Sequence, residues 1–469
     1  MSQILDKPAE PVGDELPPLP GAAQGKSLLR ELLLLAGPVL AEHLLHILVG
    51  LTDTYLANHL PQQQAEATAA VGTVGYIFWF LGLFAGAIGT GATAIIAREI
   101  GAKHRRRANS ACGQAMLFAA MLGIVMAVAL WLAAPQVVSF TGLTGDAQAF
   151  ALSYLRIITP AVPFLICMFV ANASLRGAGD TLTPAISMIV VDVINVVLSV
   201  GLTFGLWGMP RLGFTGIAIG TVIAYIAGGL LQITVLLVGR GGIKLHVHRL
   251  RPHWHDMKRI TRIGVPAGLT DMINWIANFA LIKVVNRTEP LNVAAAAHVS
   301  AVRVESISYM TGFAVAVAVA TMVGQSLGMK DARRAQRSAY LGFAIGGGFM
   351  TLVGLLFILF PRFFARLIAA DEHVIELTAR CLQITGFCQA GFAAAIVFGG
   401  ALRGAGDTLA VMLITTATIL ILRGGGVWVL GALEQPLWVI WIVLAADLFI
   451  RGVMVYGRFL HGGWKRIRV

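Results

Sequence analysis

The sequence predicts an all-α polytopic membrane protein, with twelve transmembrane helices arranged as two six-helix bundles related by a pseudo-twofold axis. Three observations carry this. Of 469 residues, 57% are hydrophobic and 12% charged, about half the ~25% charged content of a soluble domain. Apolar runs long enough to span a bilayer follow one another, and Lys and Arg gather in alternate loops. An eight-residue segment recurs identically in the two halves of the chain. The composition excludes a water-soluble enzyme. The absence of any long polar block after the first 27 residues excludes a single-span anchor carrying a soluble domain.

Residues 1–27 are polar and include Pro8, Pro11, Pro17, Pro18 and Pro20. No apolar core follows a basic start, so a disordered cytoplasmic tail is expected rather than a cleaved signal peptide. Gly21–Ser27 is one residue short of a phosphate-binding loop and follows no strand, so no nucleotide is expected. A span needs roughly 20 apolar residues. The spans read as 29–58, 67–98, 110–134, 147–175, 183–206 and 213–238, then 258–285, 292–327, 334–360, 372–402, 409–430 and 436–458. They define an N-lobe (28–238, helices 1–6), a basic cytoplasmic linker (239–257) and a C-lobe (258–469, helices 7–12 with a short basic tail).

With the N-terminus placed inside, the cytoplasmic segments hold 24 Lys and Arg, and the outer loops hold four: Arg211, Arg287, Arg362 and Arg366. Cytoplasmic loops accumulate positive charge, so both termini are expected in the cytoplasm of a bacterial-type inner membrane. The same sorting explains the net charge of +12 with the lipid bilayer, and not nucleic acid, as the partner. The linker histidines His246, His248, His253 and His255 alternate within a basic segment. Neighbouring Lys and Arg repel a metal ion there, so contact with anionic lipid is the expectation. The four cysteines (Cys112, Cys167, Cys381, Cys388) lie in apolar segments without metal-ligand spacing and read as buried free thiols.

Leu175-Arg-Gly-Ala-Gly-Asp-Thr-Leu182 recurs as Leu402–Leu409 at an offset of 227, and Gly101-Ala-Lys103 meets Gly328-Met-Lys330 at the same offset. Pro38 and Pro266 correspond at 228. Each half therefore holds six helices. An even number makes both halves enter the membrane in the same sense, with the pseudo-axis along its normal. Two such bundles enclose a central cavity, and rocking between them gives alternating access.

An intramembrane charge costs roughly 2.5–3.5 kcal/mol on insertion scales, so each one needs a reason. Helix 1 carries Glu42, His46 and Asp53. At about 100° per residue they share one face, in a stripe roughly 16 Å long. Shielded carboxylates of this kind exchange protons in the physiological range, and Pro38, one turn before Glu42, predisposes the helix to bend. Helix 5 carries Asp192, Asn195 and Ser199, and helix 7 carries Asp271, Asn274 and Asn278 beyond Pro266. Arg303 and Glu305 in helix 8 are two residues apart and must face different neighbours. Arg303 and Arg423 are candidates to neutralise Asp271 or Asp53. Asp447 and Arg451, four apart in helix 12, pair with each other. Arg98 and Glu99 end helix 2 at the interface. Tyr76, Phe78, Trp79 and Phe80 in helix 2 and Trp275 in helix 7 offer cation–π surfaces or ordinary packing, and the glycines Gly82, Gly86 and Gly89 allow close helix contact.

The chain resembles the multidrug and toxic compound extrusion (MATE) family. The twin LRGAGDT segments, Val323-Gly-Gln-Ser-Leu-Gly-Met-Lys-Asp331 ending helix 8, and Gly37-Pro38 followed by Gly50-Leu-Thr-Asp53-Thr54 carry the resemblance. It implies cation-coupled export, often of bulky organic cations, driven by protons or sodium, usually by single chains without a cofactor. It singles out Asp53. It also implies a cation site to which Asn195 and Thr221 match, whereas Ser199 stands where family members offer Asp; Asp192 is the candidate substitute. Sodium-coupled relatives place Glu where Asn274 stands and Asp within helix 10, and Gln383–Gly400 holds no acid. Protons are therefore expected over sodium. The expected coupling set is Asp53, Glu42, His46, Asp192, Asn195, Ser199 and Thr221. The expected substrate cavity is Asp271, Asn274, Asn278, Arg303, Tyr76, Trp79 and Trp275. A flippase for lipid-linked or anionic cargo is the alternative; it would want a cavity lined by several basic groups. An enzyme is not expected, because HExxH, Gly-x-Ser-x-Gly and nucleotide-loop motifs are missing.

Overall fold

The computed structural model describes residues 27–247, 250–285, 293–433, 435–467 and 469. The expected disordered tail up to residue 26, and with it most of Gly21–Ser27, lies outside the described residues, as do His248, Arg287 and Arg468. The first half comprises α1 (Leu28–Asn58), α2 (Gln64–Gly101), α3 (Arg105–Phe140), α4 (Gly145–Ala178), α5 (Leu182–Phe204) and α6 (Phe214–Val238). The second comprises α7 (Trp254–Val285), α8 (Val293–Gly328), α9 (Ala332–Leu359), α10 (Glu372–Gly404), α11 (Thr408–Leu430) and α12 (Leu437–His461). The fold is all-α, as the sequence predicts. Among the described residues, eleven of these helices are long and apolar enough to cross a membrane. The other is α7, which is long enough at 32 residues but is made more polar by Asp271, Asn274 and Asn278.

Helix starts are fixed by side chains that accept the first free N–H groups. The Ser27 hydroxyl caps α1 through Arg30 N (3.3 Å), Asp331 caps α9 through Arg334 N (2.8 Å), and Asp371 caps α10 through Val374 N (3.0 Å). Most helices begin and end within two residues of the spans read from sequence, whereas α2, α3, α4, α7 and α12 extend three to six residues further at one end or both. Pro38 and Pro266 lie inside α1 and α7.

The repeat is built in three dimensions. α4 and α10 end in the same turn: Gly179 and Gly406 adopt φ of 96° and 86°, a left-handed conformation that favours glycine. Asp180 N donates to Leu175 O at 2.9 Å, and Asp407 N to Leu402 O at 2.8 Å. Lys103 and Lys330, also repeat mates, both take positive φ (61° and 62°). Where α2 crosses α8, a Cβ on Gly101 would overlap the Gln325 backbone, and one on Gly328 would overlap the Arg98 backbone. These two contacts exchange under the 227-residue offset, so the pseudo-axis passes through this crossing.

The halves are joined at the ends that carry the basic loops. Arg334 at the start of α9 pairs with Glu31 of α1 (2.6 Å), and Arg259 of α7 pairs with Glu99 of α2 (3.1 Å). Thr321 Oγ1 of α8 donates to Arg176 O of α4 at 3.0 Å. Glu99, placed at the interface by sequence, is thus buried and bridges the halves. Gly101→Val should pry the crossing open, since backbone atoms cannot yield as a flexible side chain can. The expected result is loss of efflux, with raised labelling of a cysteine introduced at Gln325 by a membrane-impermeant reagent from the basic-loop side. Unchanged labelling would disprove the closure.

Candidate functional site

Four helices of the first half converge on Asp53, which is 4% exposed. Tyr154 OH of α4 donates to Oδ2 at 2.6 Å. The Thr221 hydroxyl of α6 lies 2.9 and 3.1 Å from the two carboxylate oxygens, and Asn195 Nδ2 of α5 lies 3.5 Å from Oδ1. Asn195 Nδ2 also reaches Thr221 Oγ1 (2.9 Å) and Ser199 Oγ (3.3 Å). Thr221 has one hydrogen and two acceptors to choose from, the carboxylate and the Ile217 carbonyl at 3.1 Å. Every donor on Asp53 is neutral, and among the described residues no cationic side chain pairs with it within 4 Å.

Asp53 faces a cavity of about 280 Å³ lined by His46, Phe78, Trp79, Tyr154 and Tyr225 among others. A second cavity of about 230 Å³ is lined by the repeat-mate arginines Arg176 and Arg403. Gly82 and Phe169 line both, so the two cavities adjoin, the first bearing a carboxylate and the second guanidinium groups. Arg176 is neutralised: its Nη1 donates to both Glu42 oxygens (2.7 and 2.8 Å), and Asn172 adds a bond of 3.0 Å. The Arg403 side chain makes no hydrogen bond or ion pair with a described residue.

The structure therefore divides the helix-1 stripe. Asp53 gathers Asn195, Ser199 and Thr221, but Glu42 is held by Arg176 instead. His46 packs edge-on against Phe169 (5.3 Å) on the cavity wall. Asp192 is buried, yet neither of its oxygens has a hydrogen-bond partner among the described residues, so it does not replace the missing acid beside Asn195. Tyr154 was not anticipated. Its signal was a tyrosine in an apolar helix, whose hydroxyl must find a partner when buried.

The residues expected in the substrate cavity are also redistributed. Asn274 and Asn278 accept from Arg451 Nη1 (3.2 Å) and Arg423 Nη1 (2.9 Å). Both arginines converge on Asp447, at 2.6 Å for Arg451 and 2.9 Å for Arg423. The pairing of Asp447 with Arg451 is as read from sequence. Arg423, however, neutralises Asp447 and not Asp271 or Asp53. Arg303 is exposed and forms no ion pair with a described residue, because its helix position turns it away from the lobe that buries Glu305. Glu305 accepts from Gln389 at 3.3 Å. Trp79 meets Trp275 across the halves with the rings tilted by 51° (6.3 Å), whereas Tyr76 is exposed and lines neither cavity. Asp271 forms no hydrogen bond or ion pair with a described residue. All four cysteines are buried free thiols, and no group of metal ligands occurs among the described residues.

Two pseudosymmetric six-helix bundles with a cavity lined from both halves define a membrane transporter. The MatE family model matches residues 38–200 and again 266–424. The chain is 30% identical over 441 residues to the probable multidrug resistance protein NorM of Thermotoga maritima, covering 93% of each. It is 26% identical to the probable multidrug resistance protein YoeA of Bacillus subtilis, over 86% of this chain and 88% of that one. A MATE crystallised in a bent conformation superposes with a TM-score of 0.85 at 20% identity, covering 94% of this chain and 98% of the other. The chain belongs to the MATE family of multi-pass efflux transporters; it is not an enzyme.

Proposed function

We propose that this transporter exports organic cations in exchange for protons, with Asp53 as the group that both compete for. The observation that carries this is a buried carboxylate on a cavity wall whose bonded partners are all neutral. Its charge can be balanced by a proton or by the cation it binds, but not by a resident side chain. Phe78, Trp79 and Tyr225 on the same wall supply faces for a flat cation. The donors Tyr154, Thr221 and Asn195 point hydrogens at the carboxylate and hold it ionised until a proton arrives, when they must turn. Asn195 Oδ1 is buried without a partner. Rotation of that amide presents an acceptor to a protonated Asp53, while Thr221 turns its hydrogen to Ile217 O. Protonation thus rearranges the contacts between α1, α5 and α6.

The 24-to-4 charge split favours cytoplasmic termini in a bacterial-type inner membrane. With that orientation the α2–α8 crossing lies on the cytoplasmic side of the cavity between the halves and closes it there, the outward-facing arm of alternating access. The unit is taken as a single chain needing no cofactor. Everted vesicles carrying a respiration-generated proton gradient test the reading. Ethidium added in sodium-free buffer should collapse part of the gradient. A response only after sodium is supplied would reassign the coupling ion, and none in either buffer would favour anionic cargo.

A further inference from the structure

The basic linker builds a pocket unrelated to the transport chamber. At about 420 Å³ it is larger than either inner cavity and lies between the first turns of α3 and residues 244–246 and 250–253; Arg106, Ser110, Gln114, His246, Arg251 and His253 are on its wall. The wall is held from α3. Gln114, 1% exposed, donates to Arg251 O (2.8 Å) and accepts from His253 N (2.9 Å). Asn109 Oδ1 accepts from Lys244 N at 2.9 Å. Two polar side chains are thus spent on fixing the linker backbone, more than a passive connection between lobes requires.

The charge in the pocket is uncompensated. The Arg106 and Arg251 guanidinium groups make no ion pair or hydrogen bond with a described residue. The acids nearby are engaged: Asp256 accepts from Ser110 (2.9 Å) and faces Arg259 (3.5 Å), and Glu99 is held by Arg259 and His104. Lys103, Arg105, Arg107 and Lys244 add to the positive field around the mouth. The His253 Nδ1 engages the Arg251 carbonyl (3.0 Å), which makes that nitrogen the N–H and leaves Nε2 as the acceptor of this lining residue. Two forked guanidinium groups and a tautomer-fixed imidazole match the three oxygens of a phosphate monoester, with Nε2 placed to accept from its P–OH. The volume lies in the range of small-molecule sites and admits a headgroup larger than phosphate itself.

We propose that this pocket binds a phosphate monoester, as the headgroup of an anionic lipid or as a soluble phosphorylated compound. Two preparations of the full-length protein separate these sources. In nanodiscs of phosphatidylcholine doped with either phosphatidic acid or phosphatidylglycerol, lipid retained after transfer to detergent is counted by native mass spectrometry. In detergent alone, glycerol 3-phosphate and inorganic phosphate are titrated against thermal stability. The wild type should retain phosphatidic acid roughly tenfold over phosphatidylglycerol, the scale of one or two charge-assisted hydrogen bonds. Arg106→Gln/Arg251→Gln should abolish that preference, while Arg105→Gln, outside the wall, should keep it. Both exchanged side chains are exposed, so ethidium efflux should persist and report an intact fold. Stabilisation by the soluble phosphates without lipid preference assigns the site to a soluble ligand. Equal retention of both lipids together with no response to either soluble phosphate would overturn the proposal, as would a preference that survives the double substitution.

Discussion

Asp53→Asn should reduce ethidium-driven proton release to the level of vesicles lacking the protein, while the protein still reaches the membrane. The substitution keeps the volume and leaves Tyr154, Thr221 and Asn195 with a neutral partner. The stability cost is therefore that of weakened hydrogen bonds, about 1–2 kcal/mol. The coupling loss is total because an amide neither gains nor loses a proton in the working pH range. Glu42→Gln is the control that distinguishes this from a general effect of losing an acid in α1. It removes the partner of Arg176, which is mostly buried, and should cost roughly 1–3 kcal/mol of stability. The remaining activity should keep the wild-type ratio of protons to substrate, measured by pH-dye and ethidium fluorescence together. Coupled exchange surviving in Asp53→Asn, or a changed ratio in Glu42→Gln, would place the coupling proton elsewhere.

The two helix-1 acids also show what can be read without coordinates. Spans, lobes and the repeat follow from hydropathy, from loop charge and from one duplicated segment, all of them local or periodic signals. Helical angles correctly put Glu42, His46 and Asp53 on one face. A face, however, is long enough to meet two different neighbours. Glu42 meets Arg176 of α4 near one end of that helix, and Asp53 meets Tyr154 of the same helix about six turns away. Which residue of α4 lies opposite each acid depends on how the helices cross, and no single-helix period contains that. The same limit applies to Arg423. Its position in α11 was visible, but the π-helical segment Ile419–Gly426 that carries it was not, since a wide turn changes which face a residue occupies. Asp192 shows the reverse error. It shares a helix face with Ser199 in sequence, yet makes none of the bonds that Asn195 makes at the meeting of α5 and α6.

Asp447→Asn should be the most destabilising single substitution in the second half. Asp447 is fully buried and is the only carboxylate that Arg423 and Arg451 contact among the described residues. Breaking a buried pair by removing one partner costs about 3–5 kcal/mol, and here one removal strands two cations. Arginine keeps its proton under all working conditions, so neither can relieve the strain by becoming neutral. Arg423→Met should cost clearly less. It leaves the Asp447–Arg451 pair intact and frees Asn278, which is polar but uncharged, for alternative partners. Thermal unfolding of the detergent-solubilised protein, followed by the size-exclusion profile, ranks the two. If Arg423→Met proved as damaging as Asp447→Asn, then packing of α11 against α12, and not charge balance around Asp447, would be what holds this end of the lobe together.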